Sequence, residues 1–299
     1  MFISDYLGLG KKGHGNFDFV DVNLDNDNRL FIDPCLIEGA KDAWSVNATK
    51  HMSGYFDHLF EAMRKGWEHI DTLFDHAHEQ NATKLGYGNG KNGKGKTPEG
   101  LKTCLGDLRV LVQGIPTISR AQDLPVLVRN FAEDCMSDLL TNILHEQLNC
   151  FTAGQLKQYG LEPDGKGLFW TWNKENGEWE QVLRPVWLYG DEEILLVPKW
   201  IVRRNYLFKA HQYLNGVIIE RIQKANGWED LKKVDIWNNL EHRSYNWEYD
   251  YVIDFTKDHP EALSEYHNRL RWYYTRAHGH MSDDELDVTV YGTLIPTSA

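Results

Sequence analysis

The first residues that could do chemistry are a phosphate-handling set. Leu85 to Thr97 reads LGYGNGKNGKGKT, with Lys91, Lys94 and Lys96 spaced among glycines. Gly90 to Thr97 fits the pattern G-x-x-x-x-G-K-[ST] letter for letter. A working phosphate loop leaves a buried strand, wraps the phosphates with backbone N–H groups and enters a helix whose N-terminus adds positive charge. Two features depart from that context. His76 to Asn89 contains no β-branched or apolar run that would make the strand. Pro98 follows Thr97, and a proline pushes the residue before it out of the helical region. Thr97 then reads as an N-cap, with Pro98 at the first helical position and Glu99 complementing the helix dipole. NTP hydrolysis is therefore not expected. A plain anion site built from glycine amides, Lys91, Lys94, Lys96 and Thr97 stays open beside a bland surface loop.

The second set is acidic. Phe131 to Cys150, FAEDCMSDLLTNILHEQLNC, has the apolar stripe Met136, Leu140, Ile143 and Leu144 of a single strong helix. Its other face carries Asp134, Asp138, Thr141, Asn142 and His145 on one strip, with Glu133 beside it. Like charges at i, i+4 repel, so the strip suits either a divalent cation such as Mg²⁺ or a solvated face. Farther on, EEILLVPK reads as an apolar strand that begins at Glu192 and Glu193 and delivers Lys199 to a sheet edge, where open α/β folds place their chemistry. Arg203 and Arg204 follow and could grip phosphates.

Other metal patterns fail or stay weak. With Asp21, Asn23 and Asp25 as first ligands, a calcium loop would need Gly at Asn26 and Glu at Ile32. His69 and His76 can share a helix face near Asp71 and Asp75, as metal ligands or as solvated histidines. Asp33, at a strand end before Pro34, is a candidate ligand, though capping the next turn is the commoner role.

The elements that must position these groups follow from periodicity. Phe17 to Asp33 reads as two strands around an Asp/Asn turn. His51 to Glu79 has helical apolar spacing through Phe56, Leu59, Phe60 and Met63. Pro98 to Val112 is a short helix. LFWTWN and EWEQVLRPVWLYG flank Asn176-Gly177, a strong hairpin signal. A long helix is expected over Trp200 to Asn226, a strand at YDYVIDF (Tyr249 to Phe255) and a helix over Pro260 to Arg276.

The 299 residues, 41% hydrophobic with 11 Trp, can bury a large core. A net charge of −12 excludes a general DNA-coating protein, though Lys84 to Lys102 sets five lysines against Glu99 alone. Cys35, Cys104, Cys135 and Cys150 form no C-x-x-C pair and sit among apolar residues, as buried reduced thiols do. No run approaches the ~18 apolar residues of a membrane span, and the N-terminus lacks the order of a secretion signal. A soluble cytoplasmic protein is expected.

The predicted order from Phe131 to Phe255, helix-strand-strand-strand-helix-strand, resembles the restriction-endonuclease-like core of the PD-(D/E)xK superfamily. That resemblance implies a magnesium site built from strand and helix acids with a lysine. Lys199 stands where the family lysine would be, but Val197 replaces the acid two residues before it. Glu193, Glu178 or Glu180 would have to be the strand acids, and Glu133, Asp134 or Asp138 the helix acid. The segments LFIDP, SDLLTNIL and ILLVPK also resemble an uncharacterised bacterial family associated with phage-defence gene clusters.

The expectation is an α+β protein. A helical N-terminal half with a small hairpin (1–130) precedes a mixed sheet of strand-strand-strand-helix-strand flanked by helices (131–299), as two units or one continuous domain. Its expected function is a Mg²⁺-dependent nuclease or related phosphodiester-directed effector of a prokaryotic defence system. Lys199, Glu193 and Asp138 would be catalytic, Glu133, Asp134 and Asp138 would bind metal, and the loop lysines with Arg203 and Arg204 would bind phosphate. The alternative is a non-catalytic subunit of a defence or regulatory complex that binds a nucleotide, a nucleic acid or a protein partner.

Overall fold

The computed structural model describes residues 1–66, 70–77, 81–87, 98–240, 242 and 244–295. Helices dominate, and the strands are few and short, in an α+β arrangement. After α1 (Ile3–Tyr6), β1 (Phe31–Ile32) leads into α2 (Pro34–Gly39) and the long α3 (Ala43–Lys65). Next come α4 (Pro98–Cys104), α5 (Leu108–Gly114), α6 (Asp123–Leu127), α7 (Glu133–Ile143) and α8 (His145–Gln158). The hairpin β2 (Gly165–Asn173) and β3 (Glu178–Val186) is followed by the short pair β4 (Leu188–Tyr189) and β5 (Glu192–Glu193), and then by β6 (Val202–Arg203). The C-terminal part holds α9 (Ala210–Tyr213), α10 (Ile219–Asn226), α11 (Lys233–Asn239), α12 (Trp247–Asp258), α13 (Glu261–Trp272) and α14 (Asp283–Tyr291).

Helix α3 is the central pillar. Asp42 caps it by accepting the Ser45 N–H at 2.9 Å, and Gly66, at φ +66°, ends it in the left-handed conformation glycine favours. Ala48, Met52, Tyr55, Phe56, Leu59, Phe60 and Met63 are buried along its length. Against it pack α2, α5, α7, α8 and β2. Most of the buried apolar residues form one cluster running from Ile3 to Leu286.

The Asn176-Gly177 hairpin forms as its letters predict, with Trp172 opposite Trp179. Trp172 meets Tyr55 edge-on and Trp179 meets it at a tilt, which seats the ribbon on α3. Gly177 has φ +68°, and a Cβ there would lie 2.4 Å from the His58 ring. Gly177→Ala is expected to lower stability by about 1–2 kcal/mol, from the left-handed backbone and the displaced ring. Urea denaturation measures it, and an unchanged midpoint would show that the turn absorbs a side chain.

No mixed sheet forms among the described residues. The strands make three separate antiparallel pairs, β1–β6, β2–β3 and β4–β5. Five of the expected elements differ. Ile194 to Val197 is buried on every side, so the run threads the core instead of lying in a sheet. Its backbone is satisfied piecemeal: Leu195 N–H donates to Ala82 O and Leu196 N–H to Thr152 Oγ1, both at 2.8 Å. YDYVIDF is α12, not a strand. Val252, Ile253 and Thr256 face inward at helical spacing, and so short an apolar run fits either period. The stretch expected as a helix from Trp200 instead gives β6, with the helix starting at Ala210, because Val202 and Arg203 pair with Ile32 and Phe31. Phe17 to Asp33 makes no hairpin either; Phe31–Ile32 is its one paired strand. The expected helix over 131–150 breaks at Leu144 into α7 and α8. With α12 in place of the last strand, the element order that resembled the PD-(D/E)xK core is not present.

Candidate functional site

The residues singled out in the sequence go to several places. Lys199 Nζ donates to His14 O and pairs with Asp283 Oδ1, both at 2.7 Å. Its ion pair therefore ties it to α14, not to Glu133, Asp134 or Asp138. Buried Glu133 pairs with Lys209 and accepts the Tyr87 hydroxyl at 2.7 Å. Burial works against its charge, but Lys209 and Tyr87 outweigh burial and hold the carboxyl below its ordinary value. Asp134 borders Gly86 together with Asp27, and Asp138 is half-buried on α7. Glu193 is met by His145 Nε2 at 2.8 Å and by Asn149 Nδ2 at 3.3 Å. The His145 ring lies flat on Phe169, centroids 3.9 Å apart. Thr141, Asn142 and His145 are buried, so this end of the polar strip is an interior face.

Arg203 is committed to structure. It pairs with Asp33 Oδ2 at 3.3 Å, donates to the carbonyls of His278 and Gly279, and lies over the Tyr274 ring. Asp33 caps α2 through the Cys35 N–H at 2.8 Å. Arg204 is exposed and makes no ion pair among the described residues. Lys91, Lys94, Lys96 and Thr97, and with them the anion-loop reading, lie outside the described residues, as does His69. Among the described residues no three His, Cys, Asp or Glu side chains gather as a metal site. With Glu133 already neutralised by Lys209, the donors named for Mg²⁺ do not fit it as a set.

The chemistry that does converge lies elsewhere, in a cavity of about 520 Å³ between α2, α3, the loop entering α6, and α13. The loop is shaped by Asp123, whose Oδ2 accepts the N–H groups of Ser119 and Arg120 at 2.8 and 2.9 Å. Its other oxygen meets His267 Nε2 at 2.5 Å and so orients that ring beside the cavity. Glu38, from α2, lies 4.0 Å from Arg120. Burial raises the Glu38 carboxyl above its ordinary value, opposed by Gln122, Arg120 and His267.

Gln122 is the unusual member. It is 2% exposed and borders the cavity, and its hydrogen bonding toward Glu38 and the Cys35 thiol favours the charged form of each. Its Nε2 and Oε1 are fully buried and approach those groups outside ideal hydrogen-bond geometry. Burial pushes the Cys35 thiol well above its usual value, which removes it as a nucleophile near neutral pH. The arrangement offers a carboxyl, a carboxamide, an oriented imidazole and a guanidinium around one cavity, the makings of polar ligand recognition.

One family model matches residues 8–209, described as a domain of unknown function, DUF8370. The chain belongs to the DUF8370 family. No curated protein and no solved structure matches it. The matched span of DUF8370 takes in α2, α3 and the Ser119–Gln122 loop, and with them Cys35, Glu38, Gln122 and Asp123; His267 and α13 lie beyond it. Among the described residues no helix is long and apolar enough to cross a membrane.

One signal for this cavity was available in the sequence. His267 falls on the buried stripe of α13, among Leu263, Tyr266 and Leu270. A histidine on an apolar face needs a buried partner, and Asp123 supplies it. Glu38 and Gln122 carried no such signal.

Proposed function

We propose that this DUF8370 protein is a binding subunit, with the cavity between α2, α3 and α13 as the site for a polar molecule of nucleotide size. The gathering of Glu38, Arg120 and the Asp123-held His267 around one cavity carries the reading, since these side chains converge on a space that a small polar ligand fills. A volume of about 520 Å³ falls within the range of small-molecule sites. The metal-dependent nuclease reading needs Lys199 beside the α7 acids. The pairing of Lys199 with Asp283 favours binding over cleavage. Membership of a defence or regulatory complex, with a protein or nucleic-acid partner, rests on the segment resemblance and belongs to the same proposal.

The test is a thermal-shift screen of nucleotides, sugar phosphates and amino acids on the intact protein. A site occupied at a hundred times its Kd stabilises by about 2.7 kcal/mol, and Arg120→Ala should shrink that response. A parallel assay supplies DNA and RNA with Mg²⁺ or Mn²⁺. Cleavage that disappears in Lys199→Ala would overturn the binding reading in favour of a nuclease.

A further inference from the structure

We infer that the occupant of this cavity carries a phosphate ester, gripped by Arg120, Arg271 and a protonated His267, so that binding takes up a proton. The inference rests on the small-ligand reading above and adds the chemical class of the ligand. Asp123 acts as the bracket of the site. One oxygen of its carboxylate accepts the Arg120 N–H at 2.9 Å, and the other meets His267 Nε2 at 2.5 Å. The loop residue and the ring are thereby held side by side. Arg271 stands four positions after His267 on α13, which puts the two Cβ atoms about 6 Å apart on one helix face. Arg120, His267 and Arg271 all line the cavity.

All three have donors to spare. The Arg120 guanidinium faces Glu38 at 4.0 Å, beyond hydrogen-bond reach. Arg271 is exposed and makes no ion pair among the described residues. His267 is the conditional member. With Nε2 turned to Asp123, its Nδ1 has no partner among the described residues and is not sealed in the core. In a neutral ring that donates through Nε2, Nδ1 is an acceptor; in the charged ring it is a donor. A phosphate dianion only accepts, so it selects the charged ring. A phosphomonoester has three terminal oxygens and a charge of about −1.5 to −2 near neutral pH, enough to meet three donor groups. A carboxylate has two oxygens and leaves one group unmet. Of the other groups around the ring, Lys41 adds an exposed cation, while Glu38 and Asp57 are acceptors suited to hydroxyls on the body of the ligand. Cys35 and Tyr274 also border the cavity, and burial pushes both up, so neither is charged near neutral pH.

Isothermal titration calorimetry of the intact protein tests the inference. The probes are inorganic phosphate, ribose 5-phosphate and AMP, with ribose, adenosine and citrate as unphosphorylated counterparts. The phosphate esters should bind about tenfold or more tighter than their counterparts, since hydrogen bonds between charged groups are among the stronger ones. Arg271→Gln, an exposed change, should weaken them about tenfold with the unfolding midpoint unchanged. Titrations in buffers of different ionisation enthalpy report the proton. His267→Gln keeps a donor for Asp123 but cannot charge, so it should lose proton uptake that the wild type shows. Any proton taken up by the phosphate itself is common to both proteins and cancels. If His267→Gln fails to fold, Arg271→Gln still decides the phosphate assignment. Equal proton uptake in wild type and folded His267→Gln overturns the role of His267. Binding confined to unphosphorylated compounds, here or in the wider screen, or phosphate binding indifferent to Arg271→Gln, overturns the phosphate grip and leaves the small-ligand reading standing. No response to any of these probes, nor to the wider screen, in folded wild-type protein overturns both.

Discussion

Replacing Asp33 by alanine is expected to destabilise the protein by about 3–5 kcal/mol, as breaking a buried ion pair from one side does. Asp33 is fully buried, and Arg203, its partner, is nearly so. Truncation strands the guanidinium and also removes the α2 cap, which alone contributes about 1 kcal/mol. The carbonyls of His278 and Gly279 and the Tyr274 ring still hold Arg203, which places the loss toward the lower end of that range. Asn restores the cap but not the charge, so Asp33→Asn should recover only the capping share.

The same residue sets a pH dependence of definite sign. Burial pushes the Asp33 carboxyl up from 3.8 to about 6, held back by Arg203, by the amides of Cys35 and Leu36, and by the Tyr274 hydroxyl. Between those values the folded protein holds a proton that the unfolded chain has released. The contribution of Asp33 to stability therefore falls as pH rises through that window and is flat above about 6. Urea unfolding of wild type and Asp33→Asn across this window measures it. Equal pH slopes in the two proteins would mean that Asp33 stays ionised throughout.

The parts legible in the sequence were those fixed by local chemistry. The Asn176-Gly177 turn, the apolar stripe of α3 and the capping role of Asp33 depend on neighbours a few residues away. The parts that were not legible depend on what lies across the fold. Ile194 to Val197 has the letters of a sheet strand, but its partners are Ala82, Trp187, Thr152 and Val20, which no spacing reveals. Lys199 ends that apolar run as read, but the acid it meets belongs to α14, 84 positions downstream at Asp283. The cavity residues come from four segments spread between Cys35 and Thr275. Each segment looks ordinary alone, apart from His267 on the buried stripe of α13.

The other large effect is expected where the two ends of the chain meet. Asp21 is fully buried and accepts the Ser4 N–H at 2.7 Å, the Ser4 hydroxyl at 2.6 Å and the Tyr291 hydroxyl at 2.6 Å. Asp287, on α14, accepts the His14 N–H at 2.9 Å and meets His14 Nδ1 at 2.6 Å. His14 Nε2 accepts the Asp21 N–H at 3.1 Å, so the ring is neutral with its proton on Nδ1. Asp21→Ala leaves three donors without an acceptor, at about 1–3 kcal/mol for each that stays buried, so a loss of about 3 kcal/mol or more is expected. Burial lowers the His14 pKa below 6.5, although Asp287, Asp21 and Asp283 oppose it. The unfolded chain then binds a proton that the folded one refuses. The His14 contribution is fully present above 6.5 and is lost as pH falls below it, opposite in slope to that of Asp33. His14→Gln, which keeps a donor and an acceptor but cannot charge, should unfold with a flatter pH dependence in that range. If wild type and His14→Gln lose stability in parallel on acidification, the imidazole charges inside the fold, and the junction of the two ends tolerates the proton.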